Sequence, residues 1–457
     1  MSTPSYSFPP GFRWGAATAA YQIEGAHNLD GRTPSVWDTF AKTPGRVRTG
    51  ENGDIANDHY HLFESDVALM ASLGIKHYRF SISWTRILPE GTGAVNQRGL
   101  DFYKRLLDCL DKYGIEPQVT LFHWDSPQVL EDRYGSWRSR QMAHDFAAYA
   151  EVVVKALGDR VKRWTTMNEV GCFTMLGYGV GKPPQHAPGT VVQSHQDIWQ
   201  AVHHAMLGHG LGVQAIRAHC SKAIVSLVDN TEVTVPVTES PADVAAAQKA
   251  FTDSWINGGV CMPALTGQHP ELFLRHKGAD APKVQAGDLE IISQPLDAWG
   301  FNNYFGTYVR AADNEDGYET VPLPGGYPKM DLPWLSIVPD AAYWGLRHLR
   351  DVAGFKGQFF ISENGCGAAD EFGADGRIND LDRIFYLRAY LRQFHRALAE
   401  GIPLEGYFVW SLMDNFEWSF GYAKRFGIIW NDYASQKRTP KESARWYSEC
   451  IRQNRVV

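Results

Sequence analysis

Two glutamates, Glu169 and Glu363, each follow a short apolar run, at 163–167 and 358–362. A carboxyl group in that position is expected to be buried, which favours its neutral form. Two such groups facing one another suit the cleavage of a glycosidic bond. One protonates the leaving oxygen, and the other attacks the anomeric carbon or activates water. Asn168, beside Glu169, is of a type that holds a sugar 2-hydroxyl. Arg79 and Tyr304 are placed to keep Glu363 ionised by charge and hydrogen bonding, which leaves Glu169 as the proton donor. A glutamate after a strand also serves as the first-turn acid of a helix. Two of them in this company weigh toward chemistry.

Other polar and aromatic residues cluster at the ends of further apolar runs: Gln22 and Glu24, His123-Trp124-Asp125, Asn302-Asn303-Tyr304, and Trp410 followed by Asp414, Glu417 and Trp418. This inventory fits a pyranose. Its edge hydroxyls need donors and acceptors such as Gln, Asn, His and Glu. Its C–H faces suit an indole. Of the 15 tryptophans, Trp124, Trp410 and Trp418 stand beside polar residues and read as sugar platforms. Trp14, Trp164, Trp255 and Trp446 read as packing.

Positioning these groups requires a scaffold with many strand ends on one face. Eight apolar runs recur, at 12–18, 76–81, 116–122, 163–167, 223–228, 298–302, 358–362 and 406–410. Helical stripes separate them, at 58–73, 98–113, 142–157 and 381–400, with apolar residues three and four apart. Strand–helix alternation predicts a parallel sheet, and eight strands suit a single (β/α)8 TIM barrel with long active-site loops. The segments 171–195 and 311–339 are the irregular ones. No linker or repeat interrupts the pattern, so residues 1–457 are expected to form one domain.

Composition narrows the function classes. Net charge is −7 and no basic cluster appears, so a nucleic-acid partner is not expected. No apolar run approaches a membrane span of about 18 residues. The N-terminus lacks a basic segment followed by an apolar one, and the six cysteines form no CxxC pair. A cytoplasmic protein with free thiols is the expectation. His203, His204 and His209 lack the spacing of a helical zinc pair, and His59 and His61 read as structural. No metal or organic cofactor is expected. A homo-oligomer is compatible with the sequence.

The sequence closely resembles the β-glucosidases of glycoside hydrolase family 1, nearly end to end. The motifs are Phe12-Arg13-Trp14-Gly15 through Tyr21-Gln22-Ile23-Glu24-Gly25, Tyr78-Arg79-Phe80-Ser81, Ile361-Ser362-Glu363-Asn364-Gly365, and Trp410-Ser411-Leu412-Met413-Asp414-Asn415-Phe416-Glu417-Trp418. The resemblance implies a retaining β-glycosidase acting on terminal glucosyl residues, with galactosyl and fucosyl also open. Its substrates would be β-glucosides or short β-linked oligosaccharides. Gln22, His123, Trp124, Asn168, Glu417, Trp418 and Phe426 would bind the non-reducing sugar over Trp410. Trp334 would be the aglycone platform, Asn302 the family's asparagine, and Tyr304 the contact to the nucleophile. The Glu417-Trp418 pair implies an unphosphorylated sugar. Departures are Val170-Gly171 where the family has Pro-Trp, Asn303 where an aromatic is common, and Ser126 where Leu is usual. Two alternatives share these features: a transglycosylase using the same intermediate, and an inactive sugar-binding barrel.

Overall fold

The structure, a computed structural model, describes residues 6–457. Eight strands form a closed barrel: β1 (Arg13–Ala17), β2 (His77–Ser81), β3 (Glu116–Phe122), β4 (Arg163–Asn168), β5 (Ile224–Asp229), β6 (Ala298–Asn302), β7 (Gln358–Asn364) and β8 (Leu404–Trp410). All neighbours are parallel and follow chain order around the ring. The seam closes where β1 pairs β8 from Arg13↔Gly406 to Ala17↔Trp410. The expected TIM barrel is the observed fold, with every expected strand present.

The outer helices form where the periodicity places them. Gln97–Tyr113 buries Leu100, Tyr103, Leu107 and Leu110 along one stripe and ends at Gly114, whose φ of 63° suits a residue without Cβ. His195–His219 begins with a capping box. Ser194 accepts from the Asp197 N–H, and the Asp197 side chain accepts from the Ser194 N–H. One apolar core runs continuously from Phe8 to Val456. No described helix is long and apolar enough to cross a membrane.

The histidines expected to be structural are so. His59 Nδ1 lies 2.8 Å from Asp66, His203 Nε2 lies 2.8 Å from Asp288, and His209 Nδ1 lies 2.6 Å from the Thr166 hydroxyl. His204 bonds the Trp137 carbonyl, and His61 pairs with Asp58.

Three features differ from the sequence expectation. β7 runs through Glu363 and Asn364 rather than ending before them. The segment 171–195 holds a short helix, Val170–Thr174, and a pair of parallel strands, Tyr178–Val180 and Thr190–Val192. Beyond β6, Thr307–Ala311 pairs with both Tyr318–Val321 and Thr234–Pro236 as a small separate sheet. This sheet packs through Val309 against Ala246, Ala247 and Ala250 of a helix, a satellite core that no long periodic run announces.

Candidate active site

Glu169 follows directly on β4 and Glu363 lies within β7, and both strands are irregular near these residues. The β4–β5 register shifts between Thr165 and Asn168, and the β7–β6 register shifts between Ile361 and Glu363. Bulges beside a site re-aim side chains out of the regular pleat. Glu169 itself has φ 46°, a left-handed conformation uncommon for a residue with a side chain. Trp124 (φ 75°) and Trp418 (φ 47°) share it. Such backbone persists only where surrounding contacts hold it.

The two carboxyl groups have unlike partners. Arg79 Nη1 donates to Glu363 Oε1 at 2.7 Å, and the Tyr304 hydroxyl donates to Oε2 at 2.7 Å. Glu363 thus faces a guanidinium and a phenol. Glu169 meets weaker company. Asn302 Nδ2 donates to its Oε1 at 2.6 Å, and the Cys172 thiol donates to Oε2 at 3.1 Å. Asn168 joins the two halves. Its Oδ1 accepts from Arg79 Nη2 at 2.6 Å and from Asn302 Nδ2 at 3.1 Å. The Ser362 hydroxyl fixes Asn302 from below, donating to its Oδ1 at 2.6 Å.

A cavity of about 390 Å³ opens over this network. Glu169, Glu363, Asn302 and Tyr304 line it, together with His123, Trp124, Trp410, Glu417, Trp418, Trp334 and Phe426. Trp410 lies nearly parallel to His123, and Trp124 packs on Trp418 at 4.5 Å between ring centroids. Trp334 and Phe426 each meet the Tyr304 ring edge-on. Three expected residues, Gln22, Asn168 and Arg79, are fully buried and not in the cavity wall. Gln22 Nε2 donates to the Phe416 carbonyl at 2.8 Å, tying β1's loop to that of β8. Its Oε1 and the Nδ1 of His123 are buried without a protein partner. Both are polar atoms of the kind that a ligand's hydroxyls satisfy.

Residues 5–456 match the family model described as glycosyl hydrolase family 1. Beta-glucosidase A of Acetivibrio thermocellus is 43% identical over 453 residues, covering 98% of this chain and 99% of that protein. A bifunctional beta-D-glucosidase/beta-D-fucosidase of Bifidobacterium breve is 42% identical, covering 97% and 98%. The family 1 β-glucosidase structure from Thermotoga maritima superposes with a TM-score of 0.89 at 40% identity, covering 99% of this chain and 100% of that one.

The chain belongs to glycosyl hydrolase family 1.

In this family 1 hydrolase, electrostatics separates the roles further. Burial, and then the nearby Glu363, push the Glu169 carboxyl up to about 7. Burial and the two glutamates hold the Tyr304 phenol well above its usual range, so it remains a donor. Burial and Arg79 push the His123 imidazole well below its usual value, so it is neutral. Glu417 is raised to about 8 by burial, then by Glu363 and Glu169.

Several residues of the cavity wall escaped the sequence reading, Cys172 and Trp255 among them. Cys172 stands one helical turn beyond Glu169, and that three-residue spacing was a usable signal. Trp255 was expected to be packing, as Trp14, Trp164 and Trp446 are. Instead it is 53% exposed and lines the cavity mouth. It stands in the first turn of a helical segment, after the break at Ser254, where no apolar stripe marks its direction.

Proposed function

We propose that the chain is a retaining β-glucosidase in which Glu363 is the nucleophile and Glu169 the acid/base. The observation that supports this most is the unlike environment of the two carboxyls. Glu363 is met by Arg79 and Tyr304, while buried Glu169 keeps its proton to near neutrality. Glu363 attacks the anomeric carbon as Glu169 protonates the glycosidic oxygen. The Glu363–sugar ester is then opened by water, from which Glu169 takes a proton, and configuration is retained.

The family resemblance supports the remaining roles, and most of the residues concerned line the cavity. Trp410 lies under the sugar ring, and Gln22, His123, Trp124, Glu417 and Trp418 meet its hydroxyl edge, with Phe426 beside them. Asn168 and Asn302 hold the 2-hydroxyl region and orient Glu169. Trp334 faces the leaving group. The names of the relatives support terminal β-glucosides as substrates, with β-fucosides a second class. The continuous core supports one domain over 1–457. The free cysteines support a reducing, cytoplasmic setting.

The test is azide rescue. Glu363→Gly should lose hydrolysis of p-nitrophenyl β-glucoside and regain turnover with azide, giving the α-glucosyl azide. Glu169→Ala should give the β-glucosyl azide. The opposite pairing of variant and anomer would exchange the two roles. No hydrolysis by the folded wild type would sink the proposal.

A further inference from the structure

Among the described residues, one group of metal-ligating side chains converges away from the catalytic carboxyls. Asp253, His276 and Asp316 each bring one ligand atom within 4.8 Å of the others. They come from three separate elements. Asp253 ends the helix Pro241–Asp253, His276 lies in the helix Glu271–Lys277, and Asp316 lies in the turn between Thr307–Ala311 and Tyr318–Val321. Such wide separation along the chain hides the group from any reading of residue spacing.

The His276 imidazole lies between the two carboxylates. Its Nδ1 is 2.7 Å from Asp253 Oδ1, and its Nε2 is 3.9 Å from Asp316 Oδ1. The Asp253 side chain is only 6% exposed, yet its Oδ1 accepts no hydrogen bond, His276 Nδ1 being out of line for one. A buried carboxylate oxygen in that state calls for a partner, and an ion shared with the imidazole supplies it. The other oxygen, Oδ2, accepts from the Tyr318 hydroxyl. A hydrogen bond behind a ligating carboxylate is the support that metal ligands ordinarily have.

We propose that Asp253, His276 and Asp316 form a site for a divalent cation of the zinc class, with water in the remaining coordination positions. One imidazole and two carboxylates are a donor set that zinc accepts, whereas calcium takes oxygen ligands. Zinc with bonds of about 2.0–2.2 Å holds tetrahedral ligands about 3.4 Å apart. The His276 and Asp316 side chains are 39% and 41% exposed, so both can turn to meet that spacing. The ion fastens the turn of the small sheet to two helices. The apolar contact there is slight, Val309 against three alanines, so an ion that binds only the folded chain adds stability where little else supplies it.

Zinc titration of the metal-free full chain by calorimetry tests the site, with His276→Ala and Asp316→Asn beside wild type. Both variants change partly exposed side chains and should fold, which circular dichroism checks. Wild type should bind one zinc ion that each variant binds at least about tenfold more weakly, the least that losing a ligand should cost. Zinc should raise the melting temperature of wild type and leave that of either variant unchanged. Calcium should bind wild type more weakly than zinc, and the reverse order would overturn the assignment of the ion. Zinc binding that persists in both variants belongs to other histidines and overturns the site. The three residues form an ion pair only, and the proposal fails, if metal-free wild type melts above both variants and zinc changes nothing. None of these readouts involves glycoside hydrolysis, so the glucosidase reading stands or falls separately.

Discussion

With Glu169 as the proposed acid/base, its proton should set the alkaline limit of activity. Burial and the charge of Glu363 raise its carboxyl from 4.5 to about 7. A raised acid keeps its proton up to that pH and loses it above, so the alkaline limb of kcat/KM is expected near pH 7. The Cys172 thiol, held protonated because burial and Glu169 raise it well above its usual range, donates to Glu169 and favours the carboxylate. Cys172→Val removes that donor. The alkaline limb should then move up by about half a unit, from a hydrogen bond of about 1 kcal/mol. A pH–rate profile that does not move would deny the thiol this role. Tyr304→Phe takes one of two strong donors from Glu363. A hydrogen bond to a charged group contributes about 1.5–3 kcal/mol, so kcat on p-nitrophenyl β-glucoside should fall about 10–100-fold, with Tm nearly unchanged. Retention of full kcat would mean that the phenol does not support the attack. At this scale the polar residues that line the cavity were legible because they end apolar runs. Cys172 was legible only through its three-residue spacing from Glu169, and Trp255 was not, since nothing in the sequence marks the exposed side of its short helical turn.

The loops after β7 and β8, which border the cavity, are held by buried charge. Lys441 Nζ lies 2.5 Å from Asp370 and 2.6 Å from Asp414, all three buried. Arg383 pairs with the same Asp370 at 2.8 Å, and Arg425 with Asp414 at 2.8 Å. Asp370 follows β7, and Asp414 follows β8 three residues before Glu417. Asp414 Oδ1 also accepts from the Gly427 N–H at 3.0 Å, beside Phe426. One ammonium thus ties together the loops of two strands. Lys441→Met leaves two aspartates without it, and breaking a buried pair costs about 3–5 kcal/mol. Urea unfolding should show a loss of that size, and the variant's KM for the glucoside should rise as the Glu417 loop loosens. A loss below about 1 kcal/mol would show that the arginines suffice. Strands and long helices were legible in the sequence because burial on a sheet or a helical face imposes a period. The bulges at Asn168 and Glu363 and the small sheet after β6 were not. A bulge changes register without changing composition, and the small sheet is built from short segments distant in sequence.

The whole barrel is clasped at the end opposite the site. Arg163, at the start of β4, meets Glu405 of β8 in a two-pronged pair at 2.5 and 2.9 Å. Arg13 of β1 lies 3.6 Å from Glu405 and 3.9 Å from Glu116 of β3. His77 of β2 lies 3.5 Å from the same Glu116. Five strands, including both sides of the β1–β8 seam, therefore share one ionic ring at their N-terminal ends. Barrel proteins place chemistry at the C-terminal ends of the strands and stability at the other, so the ring can be broken without touching the chemistry. Glu405→Leu leaves Arg13 and Arg163 facing one another, and stability should fall by about 3 kcal/mol, while kcat/KM on p-nitrophenyl β-glucoside stays within twofold. The ring also has a pH signature. Hydrogen bonding from His77, with help from Arg13 and Arg163, depresses Glu116 from 4.5 to about 2 despite its partial burial. A depressed carboxyl stabilises the fold fully above its unfolded value and loses that contribution as pH falls through the lower one. Stability of the wild type should therefore drop between pH 4.5 and 2, and Glu116→Gln should flatten the curve there. A variant whose acid unfolding matches wild type would place the acid sensitivity elsewhere in the barrel.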